Sequence, residues 1–162
     1  MRLRLLIPIA CVLLVTIAYA QKVTFDSNPS APFASYKTYA WTQGTSTADS
    51  LMEQRIHEGV AAQLALKGLT PTNATPDLFV ATHAVTQDHP QLLVNGFGWG
   101  LGGVASVENY TVGTLVVDLY DAKTRQMVWR GVATDSVSSK PQKNAERINK
   151  AIEKMFAKYP GV

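Results

Sequence analysis

Two segments constrain the fold more than anything else in this chain. Thr114-Leu-Val-Val-Asp-Leu-Tyr-Asp121 and Met127-Val-Trp-Arg-Gly-Val-Ala-Thr-Asp135 are joined by Ala122-Lys-Thr-Arg-Gln126. Both are rich in β-branched and aromatic residues, and side chains on a strand alternate between faces with period two. Together they read as a hairpin. One register sets Asp118 beside Trp129. The next sets Asp118 opposite Arg130 and gathers Leu115, Val117 and Leu119 with Met127, Trp129 and Ala133 on one apolar face. Register follows the hydrophobic pattern, so the second is expected, with Asp118 and Arg130 as an exposed pair on the other face. It implies a loop at Lys123-Thr124-Arg125 whose last residue is left-handed, a position glycine would fill more easily than Arg125.

The other elements follow from local pattern. Val23-Thr-Phe-Asp26 and Tyr36-Lys-Thr-Tyr-Ala-Trp-Thr42 read as strands, separated by a loop containing Pro29 and Pro32. Ser50-Leu-Met-Glu53 predicts a capping box, with Ser50 as N-cap of a helix whose apolar stripe is Met52, Ile56, Val60 and Leu64. Gly68 is placed to end that helix in a left-handed conformation, and Gly59 within it is expected to let the sheet approach. Asp77 to Gln87 has apolar residues on both faces and reads as a central strand that His89-Pro90 ends. A second helix carries Ile148, Ile152, Met155, Phe156 and Tyr159 on one stripe, and Pro160 stops it. The expected architecture is α+β, a two-layer sandwich in which two amphipathic helices cover one face of a mainly antiparallel sheet.

Residues 1–20 carry Arg2 and Arg4, an apolar run from Leu5 to Ile17, and Ala18-Tyr19-Ala20 before Gln21. That is the pattern of a secretory signal peptide cleaved after Ala20, leaving 21–162 as a single exported domain, periplasmic or secreted. Cys11 lies inside the apolar run, which continues to Ala20, so lipid anchoring is not expected. Cys11 is the only cysteine. Its removal leaves no disulfide and no thiolate chemistry. Of 15 Lys and Arg residues the leader takes Arg2 and Arg4, leaving 13 against 12 Asp and Glu, a net of +1. Without a basic run, neither a nucleic acid nor an anionic membrane is an expected partner. No later apolar run reaches the ~20 residues of a membrane helix.

"YKTYAW" at 36–41, "PDLFV" at 76–80, "GTLVVDLYDAKTRQMVWRGVA" at 113–133 and the closing amphipathic helix resemble the bacterial family known as domain of unknown function 4136. The resemblance runs in order over nearly all of 21–162. It implies an α+β fold and a small cell-envelope protein, and it supplies no catalytic residues. Members are often lipoproteins, whereas Cys11 is poorly placed for lipidation. The family's hairpin turn usually carries glycine where Arg125 stands here.

The residues offer little chemistry. Gly98, Gly100 and Gly103 match G-x-G-x-x-G, and Asp118 follows at the spacing of a ribose-binding acid. The motif holds a pyrophosphate only where the glycine turn opens a helix. The β-rich stretch from Val104 to Gly113 argues against one, so no cofactor is expected. His57 is expected to be solvated, His83 to be a packed, hydrogen-bonded strand residue, and His89 to lie in a loop. They show no metal-ligand spacing, and no metal is expected. With no G-x-S-x-G elbow or cysteine, no catalytic residue is nominated.

What alternates with the glycines is Phe97, Trp99 and Leu101. Two arrangements fit: the three fold back as a lid over the sheet face the helices leave open, or they stay exposed as a contact site. Five glycines would weaken a lid, so the contact site is expected and these three are the candidate partner contacts. The expected function is a non-catalytic envelope domain that binds a protein, glycan or lipid. The alternative is an envelope-acting hydrolase. The two are told apart by whether His83 faces Ser, Asp or Glu within hydrogen-bond reach.

Overall fold

The computed structural model describes residues 21–95 and 104–160. Its strands are β1 (Lys22–Ser27), β2 (Thr38–Trp41), β3 (Thr70–Pro71), β4 (Leu78–Asn95), β5 (Val104–Asp121) and β6 (Met127–Ser136). Its helices are α1 (Ser50–Leu66) and α2 (Pro141–Phe156). The strands form one six-stranded sheet in the order β1-β6-β5-β4-β2-β3.

The fold is α+β, but the sheet is mixed. β1, β6, β5 and β4 pair antiparallel, whereas β2 pairs parallel to both β4 and β3. The expected antiparallel character holds for β1, β6, β5 and β4, and the parallel placement of β2 is the departure from it. A tight hairpin can only reverse the chain, and a parallel neighbour needs a crossover of a dozen or more residues. α1 lies between β2 and β4 in sequence and provides it. The helix covers the sheet face, as expected, and as the connection it also sets the strand direction.

One core joins the helices to one sheet face. Ile56, Val60 and Leu64 of α1 and Ala151, Ile152, Met155 and Phe156 of α2 meet Leu78, Val80, Leu115, Val117, Leu119 and Trp129. Gly59 faces α2 and not the sheet: a Cβ there would stand 3.0 Å from Ile152 Cδ1. The α1 cap is shifted by one residue from expectation. Asp49 is the N-cap, its carboxylate accepting from Leu51 and Met52 N–H, while Glu53 accepts from Thr47 N–H at 2.9 Å. Asp competes as well as Ser for this position, and both stand at the boundary. Gly68 ends the helix at φ 78° as expected.

The β5–β6 register places Asp118 opposite Arg130 and Leu119 opposite Trp129, as the hydrophobic pattern required, and Arg125 is left-handed at φ 62°. An irregularity after Leu119 pairs Tyr120 with Met127, so Val128 is buried and Met127 is exposed.

β4 does not end at His89-Pro90. It pairs with β5 through Asn95 opposite Val104, so much of the expected loop 91–111 is strand. Pro90 is tolerated because of strand parity. Ala84 N–H bonds Thr45 O on the side away from β5. Alternation puts the nitrogen of residue 90 on that same open side, so no β4–β5 bond is lost. β6 pairs with β5 only as far as Ser136 opposite Val112. Beyond that, β4 and β5 continue as a two-stranded ribbon.

Two carboxylates pin loops to the sheet. Asp77 accepts from Lys37 N–H at 2.9 Å and from Thr38 N–H and hydroxyl at 3.0 Å each. Asp121 accepts from Thr124 N–H at 2.8 Å, Lys123 N–H at 2.9 Å and the Tyr36 hydroxyl at 2.9 Å. The Lys37 amide foremost holds Asp77 below the ordinary 3.8, and the Thr124 amide does the same for Asp121. A carboxylate lowered in the folded state adds stability that is complete above its unfolded value and disappears as pH falls through its lower folded value. Melting temperature should therefore fall on acidification below about pH 4. Asp77→Ala with Asp121→Ala should flatten that limb, so that the melting curves of variant and parent converge at low pH. Parallel limbs would show that these two groups do not carry the acid sensitivity.

Candidate functional site

Along the helix-facing side of the sheet, side-chain size falls from one end to the other. Val80, Leu119 and Trp129 fill the core at one end, and at the other the same strands carry Ala84, Gly113 and Ala133. Ala151 of α2 faces the same region. The result is a cavity of about 370 Å³ between the sheet and the N-terminal halves of both helices. Small-ligand sites are typically concave, apolar and roughly 300–1,000 Å³. The apolar lining comes from Ala84, Leu115, Ala133, Met52, Ile56 and Ile148 among others, and no Phe, Tyr or Trp among the described residues lines it.

The rim is polar and held in place. Arg147 donates to the Ser136 carbonyl and, at 3.0 Å, to the Ser136 hydroxyl, with its Nε 3.9 Å from Asp135 Oδ2. Gln21 Nε2 donates to Arg147 O at 2.9 Å, and its buried Oε1 has no partner among the described residues. Asn144 clips the α2 entry, accepting from Ser138 N–H at 2.7 Å and donating to Ser138 O at 2.8 Å. Asp49 stands at the α1 end. Rim groups fixed by neighbours keep their positions without a ligand, which lowers the ordering cost of binding one.

A second cluster lies on the opposite sheet face. Asp118 is fully buried, and Arg130 grips it with Nε on Oδ1 and Nη2 on Oδ2, both at 2.6 Å. This corrects the expected exposed pair: the carboxylate is buried and only the guanidinium reaches water. Asp118 raises the Arg130 pKa through these bonds, and burial first, then the Asp118 charge, raises that of Tyr120. His83 Nε2 stands 3.6 Å from Asp118 Oδ2, and His83 Nδ1 lies 3.0 Å from the Thr45 hydroxyl. Hydroxyl, imidazole and carboxylate thus follow in the order that nucleophile activation uses. The geometry argues for structure. Both carboxylate oxygens are committed to Arg130, the imidazole is beyond hydrogen-bond range of them, and none of Thr45, His83 and Asp118 lines the cavity.

The other histidines also differ from expectation. His57 is not simply solvated: it stacks on Trp41 with centroids 4.3 Å apart and lies 3.3 Å from Glu53 Oε1. His89 is in β4 and stacks on Tyr110. Among the described residues no cluster of three or more His, Cys, Asp or Glu could hold a metal. A strand, β5, begins at Val104 directly after the glycine run, where a dinucleotide motif would need a helix. Phe97, Trp99 and Leu101 lie outside the described residues, as do residues 1–20. The cavity was not legible in sequence. Its signal is the substitution of Ala84, Gly113 and Ala133 for larger residues on strands whose other ends are bulky, and that can be read only once the register is known.

A family model described as domain of unknown function (DUF4136) matches residues 22–161. No curated protein matches the chain. In fold it is similar to a PDZ domain protein from Parabacteroides distasonis, at TM-score 0.57 and 19% identity over 86% of this chain. The match spans only 36% of that protein. It is also similar to a PelC dodecamer from Paraburkholderia phytofirmans, at TM-score 0.54 and 13% identity, covering 85% of this chain and 96% of that one. Among the described residues no helix is long and apolar enough to cross a membrane.

Proposed function

This chain belongs to the DUF4136 family, and from the groove its fold builds we propose that it is an exported, non-catalytic domain of the cell envelope that binds the apolar part of a lipid. The export reading rests on the leader pattern at residues 1–20, with 21–162 as the mature domain and no lipid anchor. The observation that carries the binding reading is the cavity itself: about 370 Å³ with an apolar lining, and charged and amide groups on its rim. A glycan fits it less well, because sugars are held by stacking rings and dense hydrogen-bond donors, and among the described residues no aromatic ring lines this space. A protein partner is the reading for the apolar residues Phe97, Trp99 and Leu101, whose replacement by serine should abolish partner capture while leaving the melting temperature unchanged.

The groove is tested by a polarity-sensitive naphthylamine dye and its displacement by a medium-chain fatty acid. Ala84→Phe places a ring in the cavity and should weaken dye binding by about tenfold or more. The variant should melt near the parent, since the new side chain fills existing space. Dye binding that Ala84→Phe leaves unchanged would remove the groove from the function.

A further inference from the structure

β1 is an edge strand. Its inner side pairs with β6 from Lys22 opposite Thr134 to Ser27 opposite Trp129, and no strand lies on its outer side among the described residues. Bare edges are usually protected by proline or by charges that nothing on the edge can answer. Between Lys22 and Ser27 there is no proline, Phe25 is 48% exposed, and the two charges have opposite sign.

Strand parity settles which groups face outward. Asn28 N–H donates to Val128 O, so the even-numbered residues of β1 address β6. Val23 and Phe25 therefore turn their N–H and C=O groups to the open edge. Ser27 N–H, of the same parity, is already taken by Asp26 Oδ1 at 2.8 Å, which leaves Asp26 Oδ2 uncommitted. Lys22 and Asp26 make no ion pair with one another or with other described residues at 4.0 Å or less.

A two-fold axis at Thr24 makes this edge complementary to itself. With Thr24 opposite its own copy, antiparallel pairing sets Val23 opposite Phe25 of the second chain as a hydrogen-bonded pair, using the free backbone groups. It sets Lys22 opposite Asp26 of the second chain, twice by symmetry. Those are non-hydrogen-bonded positions, where facing side chains come closest. Apolar meets apolar on the helix side of the sheet, and lysine meets aspartate on the other. Moving the axis by one residue puts Phe25 against Phe25 and Asp26 against Thr24, and leaves both charges unanswered. We propose that β1 is a homodimerisation edge that joins two copies of this chain into one continuous sheet across Thr24. Closed two-fold pairing through one patch is the commonest form of oligomer.

The test combines charge reversal with a register-specific cross-link, in protein purified after export, with Cys11→Ser in every variant. Sedimentation velocity over a concentration series should show reversible dimerisation. Lys22→Asp faces each Asp26 with a like charge and should weaken dimerisation by about tenfold or more, and adding Asp26→Lys should restore it to within about threefold. Thr24→Cys should oxidise readily to a disulfide dimer, since facing Cα atoms about 4.5 Å apart at such a pair lie within disulfide range. Thr42→Cys, exposed on another part of the chain, should not. A parent protein that stays monomeric throughout, with Thr24→Cys oxidising no faster than Thr42→Cys, overturns the proposal. A dimer that ignores Lys22→Asp, or that the double charge swap fails to restore, overturns the Thr24-centred register.

Discussion

Trp129→Ala is expected to destabilise the protein by about 3–5 kcal/mol, the range for emptying a fully buried aromatic site. The indole has no exposed surface, and its ring centroid lies 5.0 Å from Phe156 and 6.1 Å from Tyr159. It covers Gly131, where a Cβ would approach Trp129 Cη2 to 2.6 Å and Met155 Sδ to 2.8 Å. The glycine is there because the tryptophan and methionine occupy the space its side chain would take. This contact makes the prediction specific. Gly131→Ala alone should cost about 1–3 kcal/mol by overpacking. In the Trp129→Ala background the same change should cost clearly less, because the indole contact is gone and the flexible Met155 side chain can move into the void. Denaturant melts of the two single variants and the double variant give the coupling. Additive losses would show that Trp129 does not sit over Gly131.

Arg130→Met should cost about as much, again roughly 3–5 kcal/mol, for a different reason. It leaves the Asp118 carboxylate buried without its cation, with only the Tyr120 hydroxyl at 3.4 Å and His83 at 3.6 Å nearby. The reverse deletion is cheaper. The Arg130 side chain is 44% exposed, so in Asp118→Asn the guanidinium turns to water, and about 1–3 kcal/mol is expected. Removing both charges in Asp118→Asn with Arg130→Met should recover most of the arginine loss. If Asp118→Asn proves as costly as Arg130→Met, the burial of the carboxylate is not what sets the energetics of this pair.

These two residues also show how far local pattern reaches. The alternation in 114–121 and 127–135 was enough to place Asp118 opposite Arg130 and to bury Trp129, because a one-residue slip would turn a whole apolar face to water. It could not tell that Asp118 is buried. That depends on how Arg130, Tyr120 and His83 close over it, and His83 arrives from β4, far away in sequence. The same division holds for the strand ends. Pro90 reads locally as a stop, yet β4 continues, because the lost N–H falls on the side with no partner.

The sequence by itself determined the helices and their buried stripes, the β5–β6 hairpin with its left-handed Arg125, and the family. Each depends on neighbours a few residues apart or on one two-strand register, where side-chain periodicity and backbone sterics decide. Tertiary structure alone decided the parallel placement of β2 beside β4, the groove between the sheet and both helices, and the order that leaves β1 at an edge. Those features depend on which strand lies beside which. A strand's hydrophobic pattern specifies the face it buries but not the neighbour it pairs with, so sheet order and the spaces it leaves emerge only when the whole chain packs.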